Sequence, residues 1–210
     1  MHQAVALLVM APYAVVYQCE VKGYQDTLYA HSEKQFYREC HIYGTVDFIF
    51  GSAMAVFQNC TLWARRPTDG QKNVITAQKR DPKMTFNTGF SFQGCHIQPA
   101  ADLQPVKSRY PTYLGRPWSI YSRVSFIDCY IGDHVDPRGW LAWNEVSPTD
   151  KLYYGEYNVF GPGADTTQRV KWLGVHANMT REEAEKFTLN SFISGQDWIP
   201  ATGVPYQGGL

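Results

Sequence analysis

The sequence has no excess of either charge: 19 Lys and Arg balance 19 Asp and Glu. That excludes the broad basic field of a nucleic-acid or anionic-membrane binder, although a few local arginines suffice for a polyanionic substrate. No CxxC pair, no HExxH run and no Cys/His group at zinc-ligand spacing occurs, so no metal site is expected. The six histidines are scattered and read as structural. Long apolar runs are missing too. Residues 4–16 are mostly apolar but too short, and broken by Pro12, to cross a membrane. They lack the basic flank of a signal peptide and read as a buried strand region. No linker or low-complexity tract divides the chain, so residues 1–210 read as one domain. Helical periodicity is almost absent. One exception is Thr180-Arg-Glu-Glu183, a capping-box pattern that predicts a short helix to about Phe187.

What is present is a repeat. The five cysteines lie in similar surroundings: Val16-Tyr-Gln-Cys19-Glu-Val21, Tyr37-Arg-Glu-Cys40-His-Ile42, Phe57-Gln-Asn-Cys60-Thr-Leu62, Phe92-Gln-Gly-Cys95-His-Ile97 and Phe126-Ile-Asp-Cys129-Tyr-Ile131. Each has a large apolar residue three before the cysteine and an aliphatic two after it. The first intervals are 21 and 20 residues and the later ones 35 and 34, as loops inserted into some turns produce. A period near twenty with short β-type segments marks a solenoid, in which one coil buries its apolar face only against the next. Strands are expected at Ala55-Val-Phe57, Val74-Ile-Thr76, Gly89-Phe-Ser-Phe92 and Arg123-Val-Ser-Phe-Ile127, and surface loops at 65–70, 98–112 and 146–151. The fold class is all-β.

The same interval links two acids. Asp26 in Gly23-Tyr-Gln-Asp-Thr-Leu-Tyr29 and Asp47 in Gly44-Thr-Val-Asp-Phe-Ile-Phe-Gly51 are 21 residues apart, as Cys19 and Cys40 are. On adjacent coils they stack at about 4.8 Å. Two carboxyls that close do not both ionise easily, which separates a proton donor from an anion and suits acid–base or nucleophilic work. Tyr113-Leu-Gly-Arg-Pro-Trp118 supplies a guanidinium, Arg116, able to pair a buried carboxylate, and Trp118, able to stack on a sugar.

These three motifs resemble the signatures of plant pectin methylesterases, or pectinesterases. So does His2-Gln-Ala-Val-Ala-Leu7, although Leu8 follows it where the family has an arginine. Further similarity runs to Ser191-Phe-Ile193, so the resemblance covers essentially the whole chain. It implies the C-terminal part of the catalytic domain: a right-handed parallel β-helix without its N-terminal coils, ending in a short helix. It implies Asp47 as nucleophile on a galacturonate methyl ester, with Asp26 as the acid and then the base. Gln3 and Gln25 would donate to the oxyanion, Arg116 would hold Asp47, and Trp118 and Phe48 would contact sugars. A Cys40–Cys60 disulfide is implied, with no cofactor. Pectin is the implied substrate and a proteinaceous inhibitor a further partner. The expected setting is a secreted monomer in the cell wall, which the sequons at Asn59 and Asn178 fit. Rival readings are a lyase or glycosidase on the same solenoid, and an inactive pectin- or inhibitor-binding homologue.

Overall fold

A computed structural model describes residues 3–83 and 87–210; His2, at the head of one motif, lies outside the described residues. Strands recur three to a coil. The first coil holds β1 (Leu7–Val9), β2 (Ala14–Tyr17) and β3 (Glu20–Lys22), and the second β4 (Leu28–Ala30), β5 (Lys34–Arg38) and β6 (His41–Gly44). The third holds β7 (Ile49–Gly51), β8 (Met54–Gln58) and β9 (Thr61–Ala64), and the fourth β10 (Asn73–Gln78), β11 (Gly89–Gln93) and β12 (His96–Pro99). The fifth holds β13 (Thr112–Pro117), β14 (Arg123–Ile127) and β15 (Tyr130–Ile131). Then come β16 (Tyr153–Tyr157), β17 (Val175–His176) and two helices, α1 (Arg181–Glu185) and α2 (Leu189–Ile193).

Every strand pairing is parallel, between equivalent strands of successive coils. The result is a parallel β-helix with three sheets, ordered β1-β4-β7-β10-β13, β17-β16-β14-β11-β8-β5-β2 and β15-β12-β9-β6-β3. All four strands expected from the sequence lie within β8, β10, β11 and β14. The loop expected at 98–112 begins inside β12 and holds a 3-10 turn at Gln104–Arg109.

The repeat around the cysteines becomes three columns. The residue three before each cysteine from Cys40 on forms an aromatic stack: Tyr37 on Phe57 at 4.5 Å, Phe57 on Phe92 at 4.6 Å and Phe92 on Phe126 at 4.7 Å, all nearly parallel. Each such pair adds about 0.5–1.5 kcal/mol beyond burial alone. The residue two after each cysteine forms an aliphatic column, Val21, Ile42, Leu62, Ile97 and Ile131, in register across the third sheet. The residue before each cysteine turns the corner in the left-handed region: Gln18, Glu39, Asn59 and Asp128 have φ of +51° to +53°, and Gly94 has +60°.

The cysteines themselves depart from expectation. All five are free thiols, so the Cys40–Cys60 bridge is not formed. Each S–H instead finds backbone carbonyls: Cys40 donates to Val16 and Arg38, Cys60 to Tyr37 and Gln58, Cys95 to Phe57 and Gln93. The thiols thus serve as small apolar spacers that also satisfy corner carbonyls. Burial pushes the Cys60 and Cys95 thiols far up, which keeps them protonated.

Residues 4–16 correct a second expectation. They supply strands β1 and β2, but these are not buried: Leu8 is 47% and Tyr13 57% exposed. The reason is position, since β1, β2 and β3 are edge strands with one pairing partner each.

The capping box at Thr180 forms as expected: the Thr180 hydroxyl accepts from the Glu183 N–H at 3.2 Å, and the Glu183 carboxylate accepts from the Thr180 N–H at 2.8 Å. Helix α1 stops at Glu185, and α2 follows without a side-chain cap. Leu189, Phe192 and Ile193 of α2 bury Phe36, Met54 and Val56 on the outer face of the second sheet. Tertiary packing, not local propensity, makes α2. Among the described residues no helix is long and apolar enough to cross a membrane.

Candidate active site

The outer face of the first sheet carries a row set by strand register. Leu8 of β1 pairs with Tyr29 of β4, Tyr29 with Phe50 of β7, Phe50 with Ala77 of β10, and Ala77 with Arg116 of β13. The adjoining positions Leu28 and Ile49 point into the core. The turn ahead of β7, which holds Phe48 before the strand begins at Ile49, corrects one expected role. Phe48 is completely buried in the core and presents nothing to a ligand, whereas Phe50, two residues on, faces the cleft. Tyr29 stacks on Phe50 at 4.4 Å, and Phe50 leans towards Trp118 at 5.9 Å.

Asp26 and Asp47 occupy the turns just before β4 and β7, one coil apart, as their spacing predicts. Both adopt left-handed backbone, with φ of +63° and +51°. Aspartate tolerates that region better than most residues, and it turns each carboxyl out of the strand direction. The turns stack by backbone bonds: the Asp26 N–H donates to Val46 O at 3.0 Å and the Leu28 N–H to Phe48 O at 2.8 Å. Gly44, ahead of the second turn, is needed for close approach. A Cβ there would fall 2.1 Å from the Phe48 Cβ and 2.8 Å from the Thr27 hydroxyl.

Arg116 reaches Asp47 across β10. Its Nε donates to Oδ1 at 2.8 Å and its Nη2 to Oδ2 at 2.5 Å, a two-pronged ion pair. Two small residues permit this. Ala77, between Phe50 and Arg116 in the outer row, carries no side chain beyond Cβ to block the path over β10. Gly115 lets β13 lie against β10, since a Cβ there would meet the Thr76 hydroxyl at 2.2 Å. Among the described residues no cation bonds Asp26; its Oδ2 accepts a hydrogen bond from the Gln3 side-chain amide.

The two carboxyls therefore differ in environment. Burial pushes the Asp26 carboxyl up; the Gln3 bond opposes this, the Asp47 charge adds to it and Arg116 opposes it from further away. Burial also pushes Asp47 up, but there the Arg116 fork pulls directly against it. Among the described residues Asp47 has a bonded guanidinium opposing the effect of burial, whereas Asp26 has an amide.

Gln3, Gln25, Asp26, Asp47, Arg116 and Trp118 line one cleft of about 370 Å³ with Phe50, Ala77 and Trp143. All the expected site residues converge there except Phe48 and the two cysteines. Trp143 was missed: it follows Trp140 in a loop with no recognisable motif. It is 36% exposed, and the Arg116 guanidinium sits 4.3 Å from its ring centroid. An exposed tryptophan beside an arginine is a contact that only folding creates. Among the described residues no cluster of His, Cys, Asp or Glu is arranged to hold a metal ion.

The site is thus a carboxylate pair, an arginine fork and an aromatic-walled cleft on one sheet face of a parallel β-helix. The family model for pectinesterases matches residues 1–196, and the chain belongs to the pectinesterase family. It is 54% identical over its whole length to "Probable pectinesterase/pectinesterase inhibitor 61" of Arabidopsis thaliana, covering 35% of that protein. It is 48% identical over its whole length to pectinesterase 2 of Citrus sinensis, covering 41%. The solved structure of a pectin methylesterase from carrot superposes on the whole chain with a TM-score of 0.96 at 49% identity, and 65% of that structure is covered. The chain thus spans well under half the length of these curated relatives.

Proposed function

We propose that this cleft hydrolyses the methyl esters of galacturonate residues in pectin, releasing methanol and leaving free carboxylates. The observation that carries the reading is the division of labour between two stacked aspartates, one forked to Arg116 and one buried without a cation. In this scheme an Asp47 oxygen attacks the ester carbonyl. Negative charge grows on the carbonyl oxygen, where the side-chain amides of Gln25 and Gln3 donate. Asp26, protonated, gives its proton to the departing methoxide, so methanol leaves and an Asp47–galacturonoyl anhydride remains. Asp26, now an anion, takes a proton from water as that water attacks the anhydride. Collapse frees the galacturonic acid, whose carboxyl proton passes to solvent to leave the carboxylate, and returns Asp47 as an anion and Asp26 as an acid. Arg116 holds the attacking carboxylate in place throughout. Trp118, Phe50 and Trp143 offer flat faces to the sugar rings.

Phosphate-free ester chemistry of this kind draws on protein groups alone. The substrate is a wall polysaccharide, so we place the activity outside the cell, in the plant cell wall. A proteinaceous inhibitor is a further partner we infer; the name of the Arabidopsis relative joins esterase and inhibitor, which supports it. The test is methanol release from highly methylated pectin by the purified chain, beside Asp47→Ala. Release that vanishes in the variant is the expected result. Pectin binding without release, unchanged in Asp47→Ala, would establish the binding-only reading instead, and chain cleavage without methanol would establish a lyase or glycosidase.

A further inference from the structure

A second cleft, of about 650 Å³, opens beside the C-terminal helices. Four basic side chains, Arg80, Arg123, Lys151 and Lys186, line it with the rings of Phe187 and Phe192. One acid, Glu183, also lines it, but its carboxylate is engaged by the capping box of α1.

Arg123 lies at the centre. Its guanidinium is 5.1 Å from the Phe187 centroid and 4.8 Å from that of Phe192. Its Nη2 donates to the Asn87 carbonyl at 2.8 Å, and its Nε is buried with no acceptor among the described residues. Burial, with Arg80 repelling it, pushes this guanidinium down to about 10. A cation so far removed from water favours an anion in the adjoining space. Guanidinium and ammonium groups beside aromatic faces match a sugar acid: the carboxylate meets the cations and the apolar face of the ring meets the aromatics.

The position of the cleft narrows the ligand further. Trp118 lines the first cleft, the Lys79 ammonium lies 5.0 Å from its ring centroid, and the next residue, Arg80, lines the second cleft. Adjacent backbone positions therefore join the two. We propose that the Arg123 cleft binds the free carboxylates of de-esterified galacturonan, as a second site for the product chain; its choice of ligand rests on the esterase reading. Each turnover in the first cleft creates one carboxylate. A demethylated stretch held next door would keep the polymer on the protein while neighbouring esters are processed.

The probe is fully de-esterified hexagalacturonate, its binding measured by calorimetry at low and high salt. The informative variant is Lys151→Glu with Lys186→Glu, two rim positions; among the described residues Lys186 pairs only with the exposed Glu182, at 3.7 Å. The expected result is at least tenfold weaker binding at an unchanged melting temperature, with methanol release from a methylated trigalacturonide unaltered. Arg123→Gln should weaken binding at least as much; if it lowers the melting temperature, the rim variant still decides. Unchanged affinity in the rim variant overturns the site. Equal affinity for dextran sulfate overturns the uronate assignment, leaving a general anion patch. The probe carries no ester, so the two readings fail separately: no methanol release with the tenfold loss sinks the esterase and keeps the site, and methanol release with unchanged binding does the reverse.

Discussion

Replacing Asp26 with asparagine separates activity from stability in a way that follows directly from the geometry. The substitution keeps shape, tolerates the left-handed backbone at φ +63°, and retains an oxygen for the Gln3 amide. It removes only the proton. Loss of a general acid and base costs about 100- to 10,000-fold in rate, or roughly 2.7–5.5 kcal/mol of barrier. Stability should move the other way. The Asp26 carboxyl is raised in the fold from an ordinary value of 3.8, chiefly by burial. A raised group favours the fold fully below 3.8 and loses that contribution as pH climbs through its folded value. At neutral pH Asp26 therefore destabilises the fold relative to a side chain that does not titrate. Asp26→Asn should melt higher than wild type at pH 7, and the gain should vanish below pH 3.8. For a chain of 210 residues each kcal/mol corresponds to about 2–4 °C. The assay is methanol release together with melting curves from acid to neutral pH. Activity within tenfold of wild type, or a lower melting temperature at pH 7, would refute the role and the electrostatic argument respectively.

Three further outcomes are expected. Arg116→Met leaves Asp47 buried without its fork, so its carboxyl should rise further; the acid limb of the pH–rate profile should move to higher pH, and stability at neutral pH should fall by up to about 3 kcal/mol. Ala77→Leu should fill the space between Phe50 and Arg116, raising KM and lowering kcat together by disturbing the Asp47 fork, with a stability cost of about 1–3 kcal/mol if the side chain turns inward. Alkylation of the native protein should mark Cys19 alone, since the other four thiols are buried, while alkylation in denaturant should mark all five; fewer than five would show a bridge and overturn the reduced column.

Much of the site was legible because a solenoid turns sequence interval into position. Equal spacing of Asp26 with Asp47 and of Cys19 with Cys40 places each pair on adjacent coils, and the register bears this out. Arg116 is 69 residues from Asp47, and no periodicity links them; only its motif made it a candidate. The resemblance implied Phe48 and not Phe50 as a sugar contact, and the run Asp47-Phe-Ile-Phe50 does not say where the left-handed turn ends and the strand alternation begins. Trp143 and Arg123 were invisible as site residues, since each owes its setting to segments that meet only in the fold.

By itself the sequence determined the coil period, the apolar columns and the vertical stacking of the two acids, because a repeating chain that buries one face per turn has one way to align. The tertiary structure alone decided which acid is paired, which aromatics face the cleft and where, among the described residues, the Arg123 Nε is buried without an acceptor. Those are properties of side chains brought together from distant coils, and the local sequence carries no record of such neighbours.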